Sequence, residues 1–466
     1  MKSDSNIKKI VGLALSVLFI LLAAVLPVNG ELTRVGWYSL GVFLAAIALW
    51  ICDSIPMMIS ALVCMFLLPV FGVMDLNAVY ANFGGVSFFF AIATFGLSIA
   101  LENTTIPLRI CSALARWAKG SSRKLIIGLY LACSITSSVM SNLSTAIIYL
   151  NISLALLHAN NQKPLTSNMG KCLMIGIPAV AGTGGLITPA GTPGNSLIIQ
   201  MLSGVGVEVT FLKWTLMFAP IALFTTLLCG LWATRIWKPE DISAEALASI
   251  QEKIIEQDGG FLTSKEKKTV VIILATLVAW VLGTWVPALD VTRVSIAALA
   301  VMFLPGVDVL SLEDMCKRTS WNLVFTLGTV GVLIAGLTGT GIMDWLVNIL
   351  FSRLGNGNVI LIMLVAGAVV CVIRAFIPTA PAIAALFGAP LLALAPLCGI
   401  SPVALLFLPA FWACTPTLLY IEPIFLFSYG YGYYKPEDVL KYGSIPTVIL
   451  IVLMAFTAQY VGLFGF

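Results

Sequence analysis

Long apolar runs separated by short polar connections make up almost the whole chain. A helix needs about 20 predominantly apolar residues to cross a bilayer. The stretches 10–28, 36–52, 57–71, 84–101, 211–237, 269–286, 295–304, 321–339 and 445–463 read as continuous spans, with 295–304 short for one. Four other regions are apolar but interrupted. Residues 125–135 and 146–157 flank the polar knot Ser137-Ser138-Val139-Met140-Ser141-Asn142-Leu143-Ser144-Thr145. Each arm is about a dozen residues, too short to span alone. They are expected to form a re-entrant hairpin, 125–158, opened at its tip. The competing reading is one long helix with Ser and Asn packed against neighbours. Residues 172–202 are broken by Gly182–Asn195, which holds five glycines, two prolines and three threonines. Such a segment cannot continue a helix.

Both interruptions recur. Residues 360–372 and 382–394 are again short arms, around Arg374-Ala375-Phe376-Ile377-Pro378-Thr379, within a second hairpin at 357–395. Residues 402–430 are again interrupted, at Cys414-Thr415-Pro416-Thr417 and at Glu422-Pro423. Aligning Thr94-Phe95-Gly96-Leu97 with Thr329-Val330-Gly331-Val332 places Asn142 on Ile377, so the two knots coincide. The expected organisation is an N-terminal tail and helix (1–35), a first repeat (36–237), a polar linker (238–268) and a second repeat (269–466). The fold class is all-α polytopic membrane protein, with about 11 spans and two re-entrant hairpins. Paired broken helices in inverted halves point to a transporter's midplane site. Residues 106–117 place Ile106, Ile110, Leu114 and Trp117 at helical spacing among Arg109, Arg116, Lys119, Arg123 and Lys124, as in a helix lying in the interface.

Composition supports the membrane reading. The chain is 60% hydrophobic and 10% charged, with mean hydropathy +1.04, whereas soluble domains carry about 25% charged residues. A transmembrane barrel would show short alternating segments instead. Charge sets the orientation. With the N-terminus cytoplasmic, all Lys and Arg except Arg34, Lys213, Arg293, Arg353 and Arg374 fall on the cytoplasmic side. The expected location is the inner (plasma) membrane, with lipid as a partner. The basic N-terminus precedes an apolar run too long for a cleaved signal. The ten cysteines are scattered without a CxxC, so neither a disulfide framework nor a metal cluster is read, and His158 is an interfacial polar residue. No HExxH, GxSxG or GxxxxGK[ST] occurs, which argues against an enzyme or a self-contained ATP-driven pump. A channel would not need two inverted broken-helix halves, and no nucleic-acid partner is expected.

Over nearly its whole length the chain resembles the divalent anion:sodium symporter family, the carriers of dicarboxylates, citrate and sulfate. The resemblance is densest at 101–145 and 185–195. It rests on Ser141-Asn142-Leu143, matching a Ser-Asn-Thr signature, and on Gly191-Thr192-Pro193-Gly194-Asn195, matching a Gly-Thr-Pro-Pro-Asn-like loop. It implies a homodimeric elevator carrier. Sodium would lie on Ser137, Ser141, Asn142 and Gly191, and Asn142 and Thr192 would touch a substrate carboxylate. The chemistry agrees: hydroxyl, amide and carbonyl oxygens suit sodium. A carboxylate is met by donors at Ser141, Asn142, Thr145 and Thr192 and by free N–H groups at a helix start. The second half departs from the family. Leu143 has already lost one hydroxyl of the first signature, and Ile377-Pro378-Thr379 keeps only the threonine of the second. In its place stand Arg374, a candidate fixed positive charge for the substrate, and Glu422, a candidate coupling residue. Intramembrane ionisable residues are functional candidates by default. The expected activity is secondary transport of small divalent organic anions, sodium-coupled at one retained site. The alternatives are sodium-independent exchange, proton coupling, or sulfate as the cargo.

Overall fold

The structure is a computed structural model and describes residues 2–28, 32–52, 54–243, 261–342, 345, 358–375, 380–415 and 422–466. Among the described residues every regular element is helical. Apolar stripes remain uncovered on several of these helices. Val271, Leu274, Val278 and Leu282 form one, and Leu361, Val365, Val369 and Val372 another, all exposed at three- to four-residue spacing. Stripes of this size are anomalous in water and ordinary against lipid tails.

The knot is more helical than its polarity suggests. The first arm runs Ser122–Ser137 and the return arm Asn142–Ala159, so only residues 138–141 leave the helix. Ser121 opens the first arm by accepting the Lys124 N–H. Asn142, Ser144 and Thr145 fall in the first turn of the return arm, where polar side chains are well tolerated. The arms are therefore 16 and 18 residues, longer than a dozen. The return arm is long and apolar enough by itself to cross a membrane, as is Phe211–Trp237. The bent pair Phe88–Glu102 and Ile106–Ala118 passes only when taken together, with a 57° angle between its parts.

The two arms fold back on each other. Thr136 Oγ1 lies 3.0 Å from Tyr149 Oη. Thirteen residues along one continuous helix would separate their backbones by about 20 Å. The reading of a single long helix is thereby overturned: the segment is a hairpin.

The first broken helix, Asn168–Gly184 followed by Pro193–Gly204, is the buried axis of this half. Ser167 caps its start, and Pro193 restarts it at the first helical position, where a missing N–H costs nothing. Two glycines set its distance from the first arm. A Cβ on Gly176 would sit 1.5 Å from Tyr130 Oη, and one on Gly184 would sit 2.1 Å from the Ser134 carbonyl oxygen.

In the second half the arms are Val359–Arg374 and Ala380–Cys398, followed by Pro402–Cys414, Pro423–Tyr429 and Pro436–Met454. The halves meet at their breaks. A Cβ on Gly182 would lie 2.8 Å from the Cys414 carbonyl oxygen, and one on Gly194 would lie 3.5 Å from Ala380 Cβ. The amphipathic helix forms as read, over Ile106–Ala118, with Trp117 exposed. Residues 244–260 of the expected linker lie outside the described residues.

Candidate functional site

Ser137 is the last residue of the first arm and is fully buried. Its Oγ lies 2.8 Å from Asn142 Oδ1 across the tip and 2.7 Å from the Ala181 carbonyl oxygen on the broken helix. Three oxygens thus converge, and the single hydroxyl proton serves one acceptor at a time. Asn142 lies directly over Gly185: a Cβ there would be 2.3 Å from Oδ1 and 2.7 Å from Nδ2. Only glycine lets the break approach the tip this closely. The loop then closes on itself, since a Cβ on Gly191 would meet the Gly185 carbonyl oxygen at 2.4 Å.

Asn195 holds that closure. Its Nδ2 donates to the Gly185 and Thr188 carbonyls at 2.7 and 2.8 Å, which leaves its buried Oδ1 with no protein partner. Thr188 Oγ1 in turn donates to the Ser138 carbonyl and ties the loop to the tip. Ser141 occupies the cap position of the return arm, but its side chain makes no capping bond. The N–H groups of the first turn therefore face the tip without a side-chain cap from Ser141, at the positive end of the helix dipole. Thr145, one turn further on, is fully buried with its hydroxyl unpartnered. Thr192 is buried in extended backbone before Pro193, with no side-chain cap bond. Among the described residues no group of three His, Cys, Asp or Glu side chains could hold a metal ion. Hydroxyl, amide and carbonyl oxygens are what the first tip offers.

In the second half Arg374 ends its arm as Ser137 ends the first. It is 1% exposed, pairs with Glu422 at 3.1 Å and donates from Nε to the Ala413 carbonyl at 3.3 Å. The guanidinium is thus turned into the protein and does not snorkel outward. Glu422 sits at the start of Pro423–Tyr429, on the far side of the second break. Thr379 lies outside the described residues.

The family model described as "Citrate transporter" matches residues 47–415. The chain belongs to the citrate transporter family. It is a membrane transporter and not an enzyme. The sodium-dependent dicarboxylate transporter SdcS of Staphylococcus saprophyticus is 25% identical over 366 residues, covering 73% of this chain and 70% of the relative. SdcS of Staphylococcus aureus (strain USA300) is 24% identical over 387 residues, covering 78% and 74%. Two solved structures share the fold. The YdaH transporter of Alcanivorax borkumensis has a TM-score of 0.54 at 16% identity, over 83% of this chain and 87% of that one. MtrF of Neisseria gonorrhoeae, described as illuminating a class of antimetabolite efflux pumps, has a TM-score of 0.57 at 14% identity, over 98% and 94%.

The transporter's first tip thus brings together Ser137, Asn142 and the break carrying Gly191, all read from sequence. In the sequence Gly185 and Thr188 stand out only as members of a helix-breaking run, and Asn195 also as the end of the loop that resembles the family's. Their separate roles depend on which carbonyl each reaches, and no periodicity announces that. Ser98, which accepts the Ser141 backbone N–H at 2.7 Å, lies 43 residues away and gave no signal.

Proposed function

We propose that this transporter is a secondary carrier of small di- or tricarboxylates, C4-dicarboxylates first, coupled to sodium bound at the first tip. Sodium is held by Ser137, Ser141, Asn142 and Gly191. The anion is met by Ser141, Asn142, Thr145 and Thr192 from the first half and by Arg374 and Thr379 from the second. The observation that carries the reading is the convergence of Ser137 Oγ, Asn142 Oδ1 and the Ala181 carbonyl oxygen beside an uncapped helix start. A hard cation there offsets the cost of bringing a carboxylate to the N–H groups. The names of the staphylococcal relatives, sodium-dependent dicarboxylate transporters, favour the same pairing.

The wider arrangement belongs to the proposal: about 11 spans in two inverted repeats (36–237 and 269–466), with hairpins 125–158 and 357–395, broken helices 172–202 and 402–430, and the cytoplasmic linker 238–268. The first arms of the two hairpins, Ser122–Ser137 and Val359–Arg374, are both 16 residues long, which supports the repeat. The carrier works as a homodimer by elevator motion in the inner membrane, with its N-terminus in the cytoplasm.

One observation favours a second reading. Where the first arm ends in a sodium-ligand serine, the second ends in Arg374 paired with Glu422. A guanidinium there does the electrostatic work of a second sodium, and Glu422 offers a site for proton coupling. Fewer sodium ions, or sodium-independent exchange, then follow. Uptake of labelled succinate and citrate into liposomes, titrated with sodium and repeated with internal dicarboxylate, tests this. Sodium-dependent uptake is expected, with Ser137→Ala raising half-saturating sodium about ten-fold, on the order of one charge-assisted contact. Sodium-independent uptake that needs internal dicarboxylate would replace symport with exchange.

A further inference from the structure

One contact at the first tip comes from outside the hairpin and the broken helix. Ser141 donates its backbone N–H to Ser98 Oγ at 2.7 Å. Ser98 is buried on Val86–Glu102, and its own proton goes to Glu102 Oε1, one turn on, at 3.1 Å. The hydroxyl has one proton and free lone pairs, so both bonds are satisfied together and their direction is set. The other Glu102 oxygen is held by Arg318, which also donates to Asn103 Oδ1. The Glu102 side chain is 6% exposed and ends its helix, where a carboxylate opposes the helix dipole. Arg318 offsets both costs. The series Arg318–Glu102–Ser98–Ser141 therefore connects the tip to a polar cleft of about 590 Å³ that Asn103 lines together with Thr105, Glu266, Asp308 and Asp314.

The bonds that Ser137 makes and the one that the Ser138 carbonyl accepts stay within the hairpin and the broken helix. Ser98 is on a helix that packs chiefly against Val291–Met302, with smaller contacts to Leu312–Arg318 and to Pro193–Gly204, the second part of the broken helix. The Ser141 N–H is thus an atom at which the tip itself is fastened to that helix. We propose that Ser98 is a positioning residue for the first tip, and that Ser98, Glu102 and Arg318 form a latch that fastens the tip to Val86–Glu102 in this state and releases it in each transport cycle. The latch rests on the transport reading above, because a tip that never moves needs no release. While the latch is closed, the Ser141 N–H is committed to Ser98 and the tip backbone is held at the geometry in which Asn142 reaches Ser137.

The test uses full-length protein in liposomes and substitutes only residues outside the sodium and substrate contacts. Ser98→Ala and Glu102→Gln are each expected to raise the succinate KM about five-fold in protein that stays monodisperse, the equivalent of one net hydrogen bond. An unchanged KM in both overturns the positioning role. Hydrogen exchange at the tip peptide that carries the Ser141 N–H reads the latch itself. Saturating sodium and succinate are expected to speed that exchange in wild type, as turnover opens the latch, and Ser98→Ala is expected to speed it about five-fold without substrate. Exchange that neither substrate nor Ser98→Ala changes overturns the latch. Wild-type protein that takes up none of succinate, citrate or sulfate sinks the transport reading and the latch with it. Active wild type with unchanged exchange sinks the latch alone.

Discussion

The Arg374–Glu422 pair gives the sharpest quantitative prediction, because its two members are buried unequally. Arg374 is 1% exposed and the Glu422 side chain 20%. Breaking a buried ion pair by removing one partner costs about 3–5 kcal/mol, mostly because the other charge is left uncompensated. The two single substitutions are therefore not equivalent. Arg374→Met keeps the apolar stem and leaves a carboxylate that is partly exposed and can take up a proton, so its cost falls at or below the lower end of that range. Glu422→Gln keeps the shape and leaves a guanidinium that cannot shed its proton at almost complete burial, so its cost falls at the upper end. The double variant, with neither charge, is expected within about 1 kcal/mol of wild type. The assay is unfolding of detergent-solubilised protein, run as a double-mutant cycle at several pH values. The destabilisation in Arg374→Met should shrink as pH falls and the carboxylate is neutralised, whereas that in Glu422→Gln should not. Arg374→Met costing as much as Glu422→Gln, or the two losses adding in the double variant, would refute the reasoning. The same variants in the uptake assay separate stability from function: a folded double variant without uptake places Arg374 in substrate recognition, and one with full uptake makes the pair purely structural.

Two further predictions concern packing and pH. Gly184→Ala should destabilise by about 2 kcal/mol or more, because its Cβ meets backbone at 2.1 Å, whereas Gly204→Ala, with no atom within 4 Å, should stabilise by about 0.5–1 kcal/mol; thermal midpoints of the two would show opposite signs. Glu266, at the polar end of Ser264–Leu282, accepts from Thr105 and Thr263. Its burial works against ionisation, but those hydrogen bonds outweigh it and hold the carboxyl below its ordinary 4.5. A depressed pKa contributes stability that is complete above about 4.5 and is lost as pH falls through the lowered value, so wild-type stability should fall in that acid window while Glu266→Gln stays flat.

Much of this protein was legible in one dimension because lipid imposes a simple rule: apolar surface faces out, and every polar interruption at depth must be satisfied by protein or water. That rule singled out Ser137–Thr145 and Gly182–Asn195, and it made Arg374 and Glu422 conspicuous. It also misjudged length. The arm expected at 146–157 begins at Asn142, because a helix's first turn accepts asparagine and serine as readily as a loop does.

Hydropathy, charge asymmetry and paired interruptions determined the class of protein, the hairpin and the residues to watch, since each is a property of a local run of sequence. Which oxygens converge was decided only in three dimensions. Gly185 matters because Asn142 lies on it, Asn195 because two carbonyls are within its reach, and Ser98 because the tip lands on a helix 43 residues upstream. Hydrogen bonds between distant segments leave no period in the chain, and their partners are chosen by how the helices pack.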